Sequence, residues 1–402
     1  MKQVFDRIKS QVKRITGSKH FKRYAPLVVV LAIALVTFAT CVPRTGPDFG
    51  IGIESPAIGE DYALSEPSPY PAAAPGSEPG SAPEPQPDTQ YVGPRNPLTG
   101  LPTAADLTNV RPLAIMINNA SAAQPQVGVS RADIIYEVLV EGGITRMLAL
   151  YQDVSDVGPI GSIRSSRAYY VDIAQSYDAV YIFAGGSPEA YSILSARSIT
   201  RLDGTGNQAQ IFYRDRERAR TMSFEHTLLT SGDLITTWLP TYGFRLEHER
   251  GYSRELSFSD DGTPDGGEQA REFTVRFSTS ATSGKTTTFS YLDEDGLYYL
   301  GQFGRSYKDG NDDVQLAFTN VLILKTGVSN IPGDAYGRIR VATTGSGTGY
   351  FICGGRYVEI RWSREDLTSQ FQYTLEDGSE LVLGRGRTYI CVVPTAAVIN
   401  FE

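Results

Sequence analysis

The stretch from Arg111 to Pro188 decides the fold: it reads RPLAIMINN at 111–119, ADIIYEVLVEGGITRMLALYQ at 132–152 and VGPIGSIRSSRAYYVDIAQSYDAVYIFAGGSP at 157–188. Its apolar runs predict buried strands, and the Glu141-Gly142-Gly143 turn predicts that the strands on either side of it form a hairpin. Apolar residues at helical spacing follow Arg167. Ser187 and Pro188 are typical of a helix N-cap and first helical residue. Strands that alternate with helices indicate an N-terminal mixed α/β domain.

The region after residue 250 has a different pattern. Short alternating apolar runs recur from 273 to 393, and Asp295-Gly296, Gly354-Gly355 and Asp377-Gly378 are typical hairpin turns. This pattern predicts an antiparallel β-rich domain, either a sandwich or a partial barrel. The fold class predicted for the whole chain is therefore α+β, with domains at 96–250 and 251–402.

The N-terminus predicts attachment to a membrane. Residues 1–24 are basic, and the apolar run at 25–42 is about 18 residues long, the lower end of what spans a bilayer. Basic residues before the span favour a cytoplasmic N-terminus, so we expect a single-pass anchor with the rest of the chain outside the cell membrane. The main alternative is a lipid anchor on Cys41, although Phe38 and Thr40 match a lipobox poorly. A cleaved signal peptide is the remaining alternative.

A linker follows at 43–95. Over half of the 23 prolines of the chain fall there, mixed with Ser, Ala, Gly and Glu. Such a composition buries too little apolar surface to fold. Because proline-rich chains extend by about 3.1 Å per residue, the linker could reach on the order of 100 Å from a membrane.

Charge and composition argue against several classes of partner and cofactor. The net charge is −8, which disfavours nucleic acid as a partner. The chain has three histidines and neither an HExxH nor a paired CxxC pattern, so we predict no metal site built on histidine or thiolate. A carboxylate calcium site stays open, and no cofactor is predicted.

Two loops are candidate anion sites because each precedes a predicted helix, whose N-terminus favours negative charge. The first is GSIRSSR at 161–167, and the second is the Gly185-Gly186-Ser187 loop, where absent side chains let a ligand approach the backbone. The alternative for both is ordinary capping, with salt bridges to Asp172 or Asp178. The predicted ligand-binding residues are Glu141, Thr145, Arg146, Arg164, Ser165, Arg167, Gly185, Gly186 and Ser187.

The catalytic candidates are Glu137, Glu141 and His226. Two nearby carboxylates are the groups that glycoside hydrolysis requires. The alternative is a buried ion pair between Glu137 and Arg146, with Glu141 as a solvated turn residue. A serine hydrolase is disfavoured because the chain has no GxSxG motif, which leaves His226 as a structural or ligand-contacting residue.

Cys353 and Cys391 lie in predicted strands of the outer part of the chain. An oxidising exterior permits a disulfide between them, which would close a loop of about 40 residues and contribute roughly 3–4 kcal/mol. The alternative is a pair of buried free thiols.

The chain resembles the YerB-like family of bacterial envelope lipoproteins from about Asn96 to Pro394. The motifs that carry the resemblance are NPLTGLP at 96–102, RPLAIMINN, ADIIYEVLVEGGITR, GPIGSIRSSR, YDA, GGSP, GSGTGYFICGGRYVEIRWSR and TYICVVP. The resemblance implies a two-domain extracytoplasmic protein, often a lipoprotein, and no particular reaction. Relatives often carry histidine where this chain has Phe183, which weakens an acid–base role for the adjoining loop. The poor lipobox is a second departure from the family.

These features lead to one expectation and two alternatives. We expect a membrane-tethered envelope protein whose first domain binds an anionic or carbohydrate ligand, such as a cell-wall polymer. One alternative is a cell-wall hydrolase that uses Glu137 and Glu141. The other is a scaffold that binds envelope proteins through residues 251–402. Whether the chain is an enzyme stays open on the sequence.

Overall fold

The structure, a computed structural model, describes residues 91–206, 210–252, 256–278 and 284–402. These residues all belong to one compact unit. The predicted basic segment 1–24, the apolar span 25–42, Cys41 and nearly all of the predicted linker lie outside the described residues. Within the described ranges, no helix is both long enough and apolar enough to cross a membrane.

The N-terminal half contains strands and helices in alternation. Its strands are β1 (Leu113–Asn118), β2 (Ile134–Leu139), β3 (Thr145–Tyr151), β4 (Pro159–Gly161), β5 (Val180–Phe183), β6 (Arg201–Asp203), β7 (Tyr213–Arg214) and β8 (Leu228–Ser231). Its α-helices are α1 (Ala168–Ser176), α2 (Pro188–Ala196), α3 (Arg218–Thr221) and α4 (Gly232–Trp238). The hairpin of β2 and β3 and the helix after Arg167 are therefore confirmed, and so is the cap of α2, where Ser187 accepts a hydrogen bond from the backbone N–H of Ala190.

The described part of the C-terminal half is built of strands. They are β9 (Ser257–Ser259), β10 (Glu268–Gln269), β11 (Glu272–Phe277), β12 (Lys285–Leu292), β13 (Leu297–Gln302), β14 (Arg305–Ser306), β15 (Ala317–Phe318), β16 (Asn320–Thr326), β17 (Val328–Asn330), β18 (Ile339–Val341), β19 (Gly345–Cys353), β20 (Arg356–Arg364), β21 (Gln372–Leu375), β22 (Val382–Gly384), β23 (Thr388–Pro394) and β24 (Ile399–Phe401).

A mixed central sheet contains strands from both halves, in the order β10-β20-β19-β16-β23-β2-β3-β1-β5-β6, with β21 paired to β20. The halves join where β2 pairs in parallel with β23, and Glu137 lies opposite Cys391 in that register. The pairings make β1, β2, β5, β6, β16 and β23 run in the same direction. Their carboxyl ends therefore lie at one edge of the sheet.

Both faces of the central sheet are buried, which explains its near-continuous apolar strands. Along β2, Ile135 and Leu139 belong to one apolar cluster, whereas Tyr136 and Val138 belong to the other. The first cluster includes residues of a six-stranded antiparallel sheet, β14-β13-β12-β11-β24 with β15. The second cluster includes buried residues of α1 and α2. We call these two sides the sheet-covered face and the helix-covered face.

The predicted α+β class and the β-rich C-terminal part are confirmed. The six-stranded sheet packs on the central sheet as one layer on another, and neither closes into a barrel. The domain boundary at residue 250 stays a prediction, because the central sheet takes strands from both sides of it.

Candidate anion-binding site

The candidate site lies at the edge where the carboxyl ends of β1, β2, β5 and β6 meet. In open sheets with parallel strands, ligands commonly bind outside these ends, because the loops there converge. The residues at this edge include Asn118 at the end of β1, Glu141 after β2, the Gly185–Ser187 loop after β5 and Asp203 at the end of β6. We call this edge the rim.

Two helix N-termini lie side by side at the rim. The backbone N–H of Ser166 donates to Gly185 O at 2.9 Å, and the N–H of Ser187 donates to Ser166 O at 3.3 Å. These bonds hold the start of α1 against the start of α2. Ser187 caps α2 with its side chain, whereas α1 begins after Arg167 without a side-chain cap. Both helix dipoles therefore direct their positive ends to the same place.

A cluster of three arginines, Arg146, Arg164 and Arg167, surrounds these helix starts. Arg146 Nη1 donates to Ser165 O at 2.7 Å, and its Nη2 lies 3.5 Å from Glu141 Oε1. Burial, together with repulsion from Arg167, lowers the pKa of Arg146 to about 10. Like charges held close in a partly buried place favour an anion between them.

Glu141 is the carboxylate of this cluster. It accepts hydrogen bonds from Nε and Nη2 of Arg167, the first at 3.0 Å. Burial alone would raise the pKa of Glu141, but the hydrogen bond from Arg167 and the charges of Arg146 and Arg167 outweigh it and hold the pKa below its usual value. Glu141 stays partly exposed on a turn that contains Gly142 in a left-handed conformation.

Arg164 and His226 form the second part of the rim. Arg164 Nη1 lies 3.4 Å from Glu225 Oε2, while its buried Nε has no hydrogen-bond partner. His226 Nδ1 lies 2.9 Å from Asn118 Nδ2, and Nε2 lies 3.6 Å from Glu225 Oε1. Burial lowers the pKa of His226, so the ring is neutral at pH 7. Because the amide of Asn118 donates to Nδ1, the ring proton is on Nε2 and faces Glu225.

The sequence reasoning missed Asn118, Asp203 and Glu225. Asp203 Oδ1 accepts the backbone N–H of Gly185 at 3.0 Å, and Oδ2 accepts the hydroxyl of Tyr191 at 2.7 Å, so this carboxylate holds the glycine loop in place. Asn118 was detectable as a polar residue at the end of a buried apolar strand. No local sequence pattern indicated Glu225, because its contact is with Arg164, 61 positions earlier in the chain.

Glu137 and Thr145 do not belong to the rim. Glu137 is fully buried on the sheet-covered face, where Thr145 Oγ1 donates to it at 2.6 Å and Lys285 Nζ lies 3.1 Å away. Arg146 lies on the opposite, helix-covered side, since side chains alternate along a strand. The proposed pairs of Glu137 with Glu141 and with Arg146 are therefore wrong, and Lys285 is the ion-pair partner of Glu137. Thr145 is corrected in the same way, from a ligand residue to a partner of Glu137.

A second polar depression lies at the opposite edge of the sheet. This cleft of about 630 Å³ is lined by Arg111, Asp178, Arg197, Arg245 and others. Arg111 and Arg245 pair with Asp178, and Arg197 pairs with Asp172 at 2.6 Å, while Arg250 also lines the cleft. Asp172 and Asp178 were the partners considered for the rim arginines, but they pair instead with Arg197, Arg111 and Arg245, arginines that line this cleft. The rim is the stronger candidate because two helix N-termini meet there and the buried Nε of Arg164 has no hydrogen-bond partner.

The two cysteines do not form the disulfide considered from the sequence. Both are buried free thiols. Cys353 is at the end of β19 and Cys391 is on β23, and β16 lies between these strands. Cys353 also belongs to the helix-covered face and Cys391 to the sheet-covered face, so their side chains point to opposite sides of the sheet. Among the described residues, no group of three or more His, Cys, Asp or Glu side chains is placed to hold a metal ion.

The fold and the rim define an α+β protein of a two-part family of unknown function. The profile described as "Protein of unknown function (DUF3048) N-terminal domain" matches residues 98–245, and the one for the DUF3048 C-terminal domain matches residues 273–390. The chain belongs to this YerB-like family.

Two comparisons name a particular relative. The chain is 28% identical over 299 residues to "Putative lipoprotein YerB" of Bacillus subtilis (strain 168), across 74% of this chain and 86% of that protein. It is also similar to the crystal structure of the YerB protein from Bacillus subtilis, with a TM-score of 0.66, 27% identity and coverage of 76% of this chain and 99% of that one. The resemblance expected from the motifs is confirmed.

Proposed function

We propose that this protein is a membrane-attached protein of the cell envelope that binds an anionic ligand at the rim. The observation that carries the proposal is that Arg146, Arg164 and Arg167 lie near two neighbouring helix N-termini, where Glu141 pairs with Arg146 and Arg167, and Glu225 pairs with Arg164. These three arginines and two glutamates carry one net positive charge, while the carboxylate of Asp203 is bound to the glycine loop and to Tyr191. The start of α1 adds backbone N–H groups, which favour anions. Membrane attachment is supported by the predicted anchor and by the lipoprotein name of the relative.

The ligand class that fits best carries carboxylate or phosphate groups. Arginine binds both through paired N–H donors, and the uncapped start of α1 adds backbone donors. A sugar-containing polymer with such groups would also find the side chains of Tyr191 and Thr205 beside the glycine loop, both bonded to Asp203. An anionic polymer of the cell wall combines these features, and the long linker would let the rim reach it.

The alternative of a two-carboxylate hydrolase has weaker support. Glu137 is fully buried beneath the sheet-covered face and engaged by Lys285, Thr145 and Tyr389. A glycosidase needs both carboxyl groups within reach of one glycosidic bond. Glu141 alone, held ionised by Arg167, is poorly suited to act as an acid.

The first test measures binding and product release together. The compact unit, residues 86–402, is incubated with cell-wall sacculi that retain their covalently attached anionic polymers and with sacculi stripped of them. We expect sedimentation with the first and little with the second, without soluble products. Release of soluble sugars or muropeptides would instead make the protein a hydrolase, and equal sedimentation with both preparations would contradict anion recognition.

A matched pair of variants then tests the rim. Arg164→Gln removes a partly buried arginine whose Nε has no hydrogen-bond partner. Because a hydrogen bond to a charged group contributes about 1.5–3 kcal/mol, binding should weaken by roughly tenfold or more. Arg271→Gln is the control, since Arg271 is an exposed arginine paired with Asp293 on the six-stranded sheet. Equal loss in both variants would indicate non-specific attraction.

A further inference from the structure

A buried polar cluster lies between the central sheet and the six-stranded sheet, on the sheet-covered face. Its members are Glu137 of β2, Lys285 of β12 and Asn119, which follows β1. Their exposures are 0%, 8% and 1%. A lysine is rarely buried to this degree unless it is paired. The cluster therefore combines an amine, a carboxyl group and a carboxamide in one water-poor place.

The carboxyl group touches both of the other groups. Lys285 Nζ lies 3.1 Å from Glu137 Oε1, and Asn119 Nδ2 donates to the same oxygen at 3.0 Å. The other oxygen, Oε2, accepts hydrogen bonds from the hydroxyls of Tyr389 at 2.7 Å and Thr287 at 2.8 Å. Glu137 is thus held rigidly between the amine and the carboxamide.

The carbonyl oxygen of Asn119 is the unusual atom of the cluster. Oδ1 is buried and has no hydrogen-bond partner. A buried acceptor without a donor costs about 1–3 kcal/mol. Protonated Glu137 could donate to Oδ1 once the carboxamide, whose Nδ2 faces Glu137 Oε1, has rotated, and such a bond would polarise the Asn119 carbonyl towards attack.

The surroundings favour a nucleophilic amine. Burial lowers the pKa of Lys285, and the nearby charge of Glu137 only partly opposes this. The ring of Phe303 lies 4.8 Å from Nζ. In such a place an ammonium can transfer its proton to a neighbouring carboxylate more readily than in water, because two neutral groups need less solvation than two charges.

We propose that Lys285 and Asn119 condense into an intramolecular amide, with Glu137 as the proton relay. The proton of the Lys285 ammonium passes to Glu137, which leaves a neutral amine. Nζ then attacks Cγ of Asn119, and the new Cγ–Nζ bond forms as the Cγ–Nδ2 bond breaks. Glu137 carries a proton from the attacking nitrogen to Nδ2, which leaves as ammonia. The reaction needs no oxidant, reductant or cofactor, and its only by-product is ammonia.

The bond would tie the two halves of the fold together. Asn119 follows a strand of the central sheet, and Lys285 begins a strand of the six-stranded sheet. A covalent link between them would fix one layer on the other and close a very long loop, the geometry in which cross-links stabilise most in the entropic model. The stabilising effect of this bond would be independent of ligand binding at the rim.

Peptide mapping of the full-length protein, extracted from membranes with detergent, tests the proposal. After denaturation and digestion with trypsin, we expect one species that joins the peptide containing Asn119 to a peptide in which trypsin has not cut after Lys285. Its mass should be the sum of the two peptides less one ammonia. Recovery of both peptides entirely unlinked would overturn the proposal, whatever any variant does.

Variants test the relay. Glu137→Ala keeps both reacting groups and removes the carboxyl group, so the linked species should disappear while circular dichroism shows a folded chain. Gln302→Met is the matched control, because Gln302 Nε2 donates to Glu137 Oε2 and to Tyr389 and not to the oxygen that faces Lys285 and Asn119, so the linked species should persist. An undiminished link in Glu137→Ala would overturn the relay role. If Glu137→Ala does not fold, the wild-type peptide map still decides whether the bond forms.

Discussion

In the proposed binding mode, Glu141 occupies the place that a bound anion would take, so removing its charge should improve binding while it costs stability. Glu141 accepts hydrogen bonds from Arg167 and lies 3.5 Å from Arg146. Two charges 4 Å apart interact by about 4 kcal/mol at an effective dielectric constant of 20. An anion held by the same arginines would lie on the order of 5 Å from Glu141, and partial exposure weakens the repulsion further, so Glu141→Gln should remove about 1–2 kcal/mol of repulsion.

The expected result is a gain of roughly fivefold to thirtyfold in affinity for sacculi that carry anionic polymers. The same substitution weakens a charged hydrogen bond to Arg167, so the free energy of unfolding should fall by about 1–3 kcal/mol. Sedimentation at fixed ionic strength measures the affinity, and urea unfolding at pH 7 measures the stability. Asp293→Asn, in an exposed pair with Arg271, is the control for loss of one negative charge.

A folded Glu141→Gln variant that binds no better than the wild type, or more weakly, would refute this reasoning. It would mean that Glu141 contacts the ligand or only orders the arginines. A similar gain in Asp293→Asn would attribute the effect to net charge. Only an increase confined to Glu141→Gln agrees with competition between its carboxylate and a ligand.

Two further predictions concern stability and the thiols. Burial would raise the pKa of Asp178, but hydrogen bonds from Arg245 and His248 lower it to about 2. This carboxylate therefore stabilises the fold at pH values above its unfolded pKa of about 3.9. Asp178→Asn should lower the free energy of unfolding by about 2 kcal/mol at pH 7, and this difference should disappear as the pH falls towards 2. A difference that stays constant between pH 7 and pH 2.5 in urea titrations would contradict the prediction. Burial raises the pKa of Cys353 to about 12 and that of Cys391 well above its usual value. Neither thiol should therefore react with a thiol reagent until the chain is denatured. Because both cysteines are free thiols, a reductant should leave the melting temperature unchanged. Rapid labelling of the folded protein at either cysteine would show that the pocket around it opens.

Local features of the rim were accessible from the sequence. The hairpin of β2 and β3, the start of α1 after Arg167 and the Ser187 cap all depend on residues only a few positions apart. Periodicity and capping preferences act over such distances. The arginines and the glycine loop could therefore be predicted as polar groups next to helix starts. Their role in binding stays a prediction.

Contacts between distant residues were not accessible in the same way. Glu137 was assigned to Arg146 or Glu141 because they lie nearby in the chain, whereas its partner is Lys285, 148 positions further along. Lysine on the buried side of β12, in line with Thr287 and Phe289, was the one local indication. The cysteine pair was misjudged for the same reason, since the spacing of two strands in sequence does not tell which strand lies between them.

The sequence by itself determined the local elements, the apolar strands and the contrast between an α/β half and a β-rich half. These follow from side-chain periodicity and backbone preferences, which neighbouring residues set together. Only the tertiary structure decided that β23 inserts beside β2, that Arg146 and Arg167 share Glu141, and that Glu137 meets Lys285 and Asn119. The order of strands in a sheet depends on how whole faces pack, and that order places each polar side chain beside its partner.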